Sequence, residues 1–83
     1  MPTAKARANA TTRAIIERGL ALLGYEVGCP PQYRSAAALD EAVARRSPCS
    51  ECDHLGLSLV YYHHGDTVLP LTCCPACGYM AAF

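Results

Sequence analysis

The chain contains no tryptophan, a single phenylalanine (Phe83), and no lysine or arginine beyond Arg46. Large core formers are scarce: leucine, valine, isoleucine and phenylalanine number 9, 4, 2 and 1, while alanine alone supplies 14 of the 83 residues. The apolar content of 52% therefore overstates what can be packed. A chain so short, with so few large apolar side chains, is marginal on hydrophobic burial alone, and such domains commonly use disulfides or a metal as staples. No apolar run approaches the roughly 18 residues of a membrane-spanning helix, so no membrane span is expected. Residues Met1 to Asn9 lack the apolar core of a secretory signal, which points to a cytoplasmic protein with reduced thiols. No Ser/His/Asp arrangement, phosphate-cradling glycine loop or paired-carboxylate motif stands out, and no enzymatic activity is expected.

What the chain does contain is unevenly placed. Seven basic and seven acidic residues cancel overall. Residues 1–48 hold all seven cations and four acids, a net of +3; residues 49–83 hold three acids and no lysine or arginine, a net of −3. The second half also carries five of the six cysteines and all three histidines. Three segments follow: a basic, disordered tail over 1–8, a helical region over 9–47 and a cysteine-bearing β region over 48–83, together one compact domain of α+β class.

Asn9, Thr11 and Thr12 are capping residues for a first helix. Ile16, Leu20 and Leu23, flanked by Ile15 and Leu22, follow a helical period, and Gly24 is a natural stop. Tyr25-Glu26-Val27 reads as a short strand, and Gly28-Cys29-Pro30-Pro31 breaks regular structure. A second helix is expected from Ser35, as N-cap, to about Arg46, burying Leu39, Val43 and alanines. From Leu55 the period changes. Leu55 to His64 and Thr67 to Cys73 read as two strands joined by Gly65-Asp66, the signature of a type II′ hairpin. That register sets Tyr62 opposite Leu69, Val60 opposite Leu71 and Ser58 opposite Cys73. Pro70 lacks a ladder donor and implies an edge or a bulge. Tyr79 to Phe83 supplies a third strand. One hairpin face carries Leu57, Leu59, Tyr61 and Val68, the other Val60, Tyr62, Leu69 and Leu71. With helices expected to cover only one of them, the other calls for a homodimer, a protein partner or a folded-back terminus.

The cysteines give the sharpest chemistry. Cys49-Ser50-Glu51-Cys52 and Cys74-Pro75-Ala76-Cys77 are two C-x-x-C pairs separated by 21 residues, 53–73. Each tight turn can offer two thiolates to one ion at about 2.3 Å. The hairpin brings the turns together, because Cys52 precedes its first strand and Cys74 follows its second. Cys49, Cys52, Cys74 and Cys77 are thus the candidate metal ligands. Cys73 could substitute for Cys74, but strand alternation points the two to opposite faces, and Cys74 is preferred. Cys29 is isolated. His54 is a second-choice ligand. His63 and His64 adjoin in sequence yet alternate across the strand, so they share no ion.

On these residues the chain resembles a zinc ribbon over 48–83. Cys74-Pro75-Ala76-Cys77-Gly78 has the C-P-x-C-G form of zinc-ribbon and rubredoxin knuckles, whereas the first turn has Asp53 where glycine is often found. The resemblance implies one Zn2+ per chain in a four-cysteine site, with iron as the other occupant such a site takes. It implies nothing for residues 1–47, which match no family pattern. The functional reading is a small zinc-stabilised interaction or regulatory protein that binds another protein or itself. Two alternatives stand beside it. One is a nucleic-acid-binding regulator using Lys5, Arg7, Arg13, Arg18, Arg34, Arg45 and Arg46. The other is a rubredoxin-like electron carrier holding iron.

Overall fold

The computed structural model describes residues 4–83. It has two α-helices and a four-stranded antiparallel sheet, with three of the four strands C-terminal to both helices. Helix α1 spans Ala4–Leu22 and α2 spans Arg34–Ala44. The strands are β1 (Glu26–Val27), β2 (Ser58–His64), β3 (Thr67–Cys73) and β4 (Met80–Ala82), in the spatial order β1-β2-β3-β4. The short strand expected over 25–27 forms at Glu26–Val27 and joins the sheet as a fourth strand, pairing with His63 and Tyr62.

Helix α1 begins earlier than its sequence signals indicate. Residues 4–8 are its first turns rather than a disordered tail; residues 1–3 of that segment lie outside the described residues. Ala4, Ala6, Ala8 and Ala10 are the best intrinsic helix formers, which favours propagation towards the N-terminus. The side chains expected to cap are used elsewhere. The Thr11 hydroxyl donates to the Arg7 carbonyl one turn back at 3.1 Å, and Asn9 reaches across to Cys77. The C-terminus follows expectation. The Tyr25 amide donates to the Leu20 carbonyl at 2.9 Å and the Gly24 amide to Ala21 at 3.1 Å, a Schellman closure with Gly24 at φ +88°.

Helix α2 is entered through a 3-10 turn at Pro31–Tyr33, so Ser35 lies inside the helix and is not its cap. The inner side of α2 is alanine, as expected, but without Leu39 and Val43: Ala37 and Ala44 are buried, whereas Leu39 and Val43 are 71% and 56% exposed. The reason lies in the contact on the other side. The Tyr61 hydroxyl donates to the Ala37 carbonyl at 3.2 Å, and Tyr33 packs edge-on to Tyr61 at 5.9 Å. Only small side chains let the helix backbone come that close to the sheet.

The hairpin register is the one its turn dictates: Tyr62 faces Leu69, Val60 faces Leu71 and Ser58 faces Cys73. Gly65 has φ +58° while Asp66 stays at negative φ, which identifies the turn as type II′ rather than I′. Strand β2 starts at Ser58, not Leu55. The preceding residues lie against the end of α2, where the Leu57 amide donates to the Ala44 carbonyl and the Gly56 amide to Ser47. Pro70 sits in an inner strand, not at an edge. It is opposite Phe83, one residue past the end of β4, so its missing donor falls beyond the paired ladder.

Strand alternation sends Tyr61 and Tyr62 to opposite faces, and each face has its own helix. The α1 side holds the core, Tyr62, Leu71 and Met80, packed by Ile16, Leu20, Tyr25, Val60 and Leu69. The α2 side holds Tyr61 under Ala37. Each face is thus met by a helix of the same chain: Tyr61, Tyr62 and Leu71 are buried, while Leu57, Leu59, Val60, Val68 and Leu69 stay half-buried. Among the described residues, no helix is long and apolar enough to cross a membrane.

Candidate metal centre

Both C-x-x-C segments sit on turns of the same construction. In the first, the Cys49 amide donates to the His54 carbonyl at 2.8 Å and the Asp53 amide returns to the Cys49 carbonyl at 2.9 Å. In the second, the Cys74 amide donates to Tyr79 at 2.9 Å and the Gly78 amide to Cys74 at 2.8 Å. The fifth residue of each turn is left-handed, Asp53 at φ +61° and Gly78 at φ +79°. Asp53 therefore departs from the usual glycine in residue type but not in conformation, as aspartate tolerates this region better than most residues.

These turns aim Cys49, Cys52, Cys74 and Cys77 at one point. Their sulfurs all lie within 4.8 Å of one another. Cys49 and Cys77 approach to 3.7 Å and Cys52 and Cys74 to 3.6 Å, each contact crossing from one turn to the other. A tetrahedral ion with metal–sulfur bonds of about 2.3 Å has sulfur–sulfur edges of about 3.8 Å. A disulfide would need about 2.05 Å. The donor set thus has the size of a tetrahedral thiolate site and could hold a metal ion.

The electrostatics point the same way. Burial alone would raise the Cys74 thiol, yet the amides of Cys77 and Ala76, with the neighbouring sulfurs, bring it down to about 6. At Cys52 the His54 amide favours the thiolate, but desolvation and the three surrounding sulfurs outweigh it and push the group up to about 12. One thiolate forms readily in the bare cluster; a full set repels itself. A dication held there would offset that repulsion, with the backbone amides stabilising the sulfurs. The Glu51 amide lies 3.4 Å from the Cys49 sulfur in such a role. Cys49 and Cys74 are buried, Cys77 is half-buried and Cys52 is exposed, so the cluster is open on one side only.

The other sequence candidates fall outside the cluster. Cys73 is buried on the α1 side, where the Arg13 guanidinium donates to its sulfur at 3.2 Å. Cys29 sits at the entry to α2 with its thiol near its neighbour's carbonyl, Pro30. His54 contributes its backbone to the first turn. His63 and His64 act separately, Nδ1 of each 3.0 Å from a carbonyl, Gly28 for the former and Gly24 for the latter. They pin the two ends of the β1 segment to β2.

Sequence reasoning missed a second group of residues around the centre. Asn9 donates to the Cys77 carbonyl at 3.0 Å, and Lys5 reaches both the carbonyl and the carboxylate of Glu51, the latter at 3.4 Å. The signal for Asn9 was present in the period. Extending the Ile16–Leu20 stripe backwards by three and seven residues lands on Arg13 and Asn9, both half-buried on the inner face of α1.

The fold and the cysteine cluster together define an α+β chain in which two turns bring four cysteines within metal-binding distance, an arrangement consistent with a zinc-ribbon-like site. Comparison with known proteins adds no relative: no family model matches the chain, and no curated protein or solved structure matches it.

Proposed function

We propose that this chain is a small zinc-stabilised interaction module whose metal is structural and whose partner is another protein. The observation that carries the reading is the sulfur geometry, 3.6 and 3.7 Å across the two turns, on the scale of a tetrahedral ion's edges. Four thiolates fill such an ion and leave no position for water or substrate, which favours structure over catalysis. The turns lie at the junctions of α2, β2, β3 and β4, so an ion there would tie the end of α2 to the ends of the three strands.

A protein partner is supported by the apolar side chains on the outer faces of the helices. Leu39 and Val43 are one turn apart on α2, and Ile15 and Leu22 are 66% and 79% exposed on α1. The nucleic-acid alternative has less support, because two of the seven cations are paired with carboxylates: Lys5 with Glu51, and Arg13 with Glu17 at 2.7 Å.

Native mass spectrometry of protein purified without added metal tests the reading. One zinc per chain is expected, retained in Cys29→Ser and lost in Cys77→Ser. A metal-free chain overturns it, and a coloured, iron-loaded chain replaces it with the electron-carrier reading. The same spectrum gives the assembly mass, in which a doubled mass identifies the partner as a second copy. Salt-sensitive retention of DNA or RNA in filter binding would instead favour the nucleic-acid reading.

A further inference from the structure

The inner stripe of α1 changes chemistry along its length. Leu20 and Ile16 pack on the sheet core. One turn earlier Arg13 donates to the sulfur of Cys73, the residue preceding Cys74. A further turn back, half-buried Asn9 donates to the carbonyl of Cys77, and a Cβ placed on Gly78 would lie 4.0 Å from the Cβ of Asn9. One turn before that, Lys5 holds Glu51 between Cys49 and Cys52. A single helix thus runs from the sheet core to both C-x-x-C turns and touches each.

We infer that α1 is part of the metal centre: Asn9, with Lys5, fastens its first turns to the two cysteine turns, so that metal loading and α1 docking form one coupled equilibrium. The inference rests on the reading that the four cysteines hold a metal. Coupling of this kind is reciprocal. A loaded centre fixes the Cys77 carbonyl and the Glu51 backbone where α1 can bind them. A docked α1 in turn restrains the two turns in the geometry the ion requires. Asn9 is the positioning residue of greater weight, since its bond is partly buried and joins a ligand's own carbonyl. The Lys5 contact is exposed and contributes less.

The test is zinc competition against a chromophoric chelator on the full chain, with hydrogen exchange as a second reading. Asn9→Ala suits it, because alanine is the better helix former and cannot weaken α1 by propensity. Asn9→Ala is expected to bind zinc about tenfold more weakly, in the range seen when residues supporting a metal ligand are removed. Lys5→Ala is expected to lose about twofold, and Arg18→Ala, on an exposed position of the same helix, to lose nothing. In zinc-loaded Asn9→Ala, amides of residues 8–13 should exchange faster while β2 and β3 keep their protection. Unchanged zinc affinity and unchanged exchange in Asn9→Ala overturn the inference alone. A wild-type chain that takes up no zinc overturns the metal reading and this inference with it.

Discussion

The two faces of the sheet are closed by unlike helices. On one face α1 presents Ile16 and Leu20 to Tyr62, Leu71 and Met80, and large side chains fill the space between layers. On the other, α2 presents Ala37 and Ala44 and comes close enough for the Tyr61 hydroxyl to reach a helix carbonyl at 3.2 Å. Burial pushes that hydroxyl up to about 12, which keeps it a donor across the physiological range. The difference shows two ways for a core-poor chain to cover a sheet. One spends scarce large residues on a small core. The other brings backbone to the sheet with alanine and leaves Leu39 and Val43 outside.

The largest expected effect falls on the proposed metal, which would act on both faces at once. Cys77→Ser, or treatment of the wild type with chelator, should abolish stoichiometric metal and unfold most of 48–83, because structural metal binding is folding free energy. Near-native circular dichroism with tight zinc in the variant would break the assignment.

Next in size is the α1 face. Leu71→Ala should cost about 2–5 kcal/mol in denaturant unfolding, the range for truncating a buried leucine. On the α2 face the opposite change is the sharper probe. Ala44, fully buried, has no room for added volume, and Ala44→Leu should cost about 1–3 kcal/mol by forcing the helix off the sheet. If Ala44→Leu is neutral while Leu71→Ala is not, the close alanine contact is not what holds α2. The smallest effect is expected on the outer side of α2. Leu39→Lys should change stability by less than about 0.5 kcal/mol, as exposed substitutions usually do. A large loss there would mean that Leu39 is covered in the working assembly, and would tie the outer face of α2 to the proposed partner.

Much of this was legible in the sequence where the signals are local. The hairpin register followed from Gly65-Asp66 and the strand pattern, because a two-residue turn fixes every cross-strand pair. The choice of Cys74 over Cys73 for the cluster followed from alternation across a strand. Gly24 marked the end of α1, since a left-handed closure there excludes most other residues. Less legible were features in which a residue has two competing uses. Asn9 and Thr11 are good caps, and both serve elsewhere, one on Cys77 and one on a carbonyl a turn back.

By itself, then, the sequence determined the class of the fold, the pairing of β2 with β3 and the four cysteines that converge, all consequences of short-range stereochemistry and spacing. Tertiary structure alone decided which helix lies on which face, that α2 turns Leu39 and Val43 outward, and that α1 extends to touch both cysteine turns. Helical periodicity gives a stripe and its direction but not the surface it meets. That choice depends on how closely two backbones can approach and on which carbonyls, such as those of Ala37 and Cys77, lie within reach once they do.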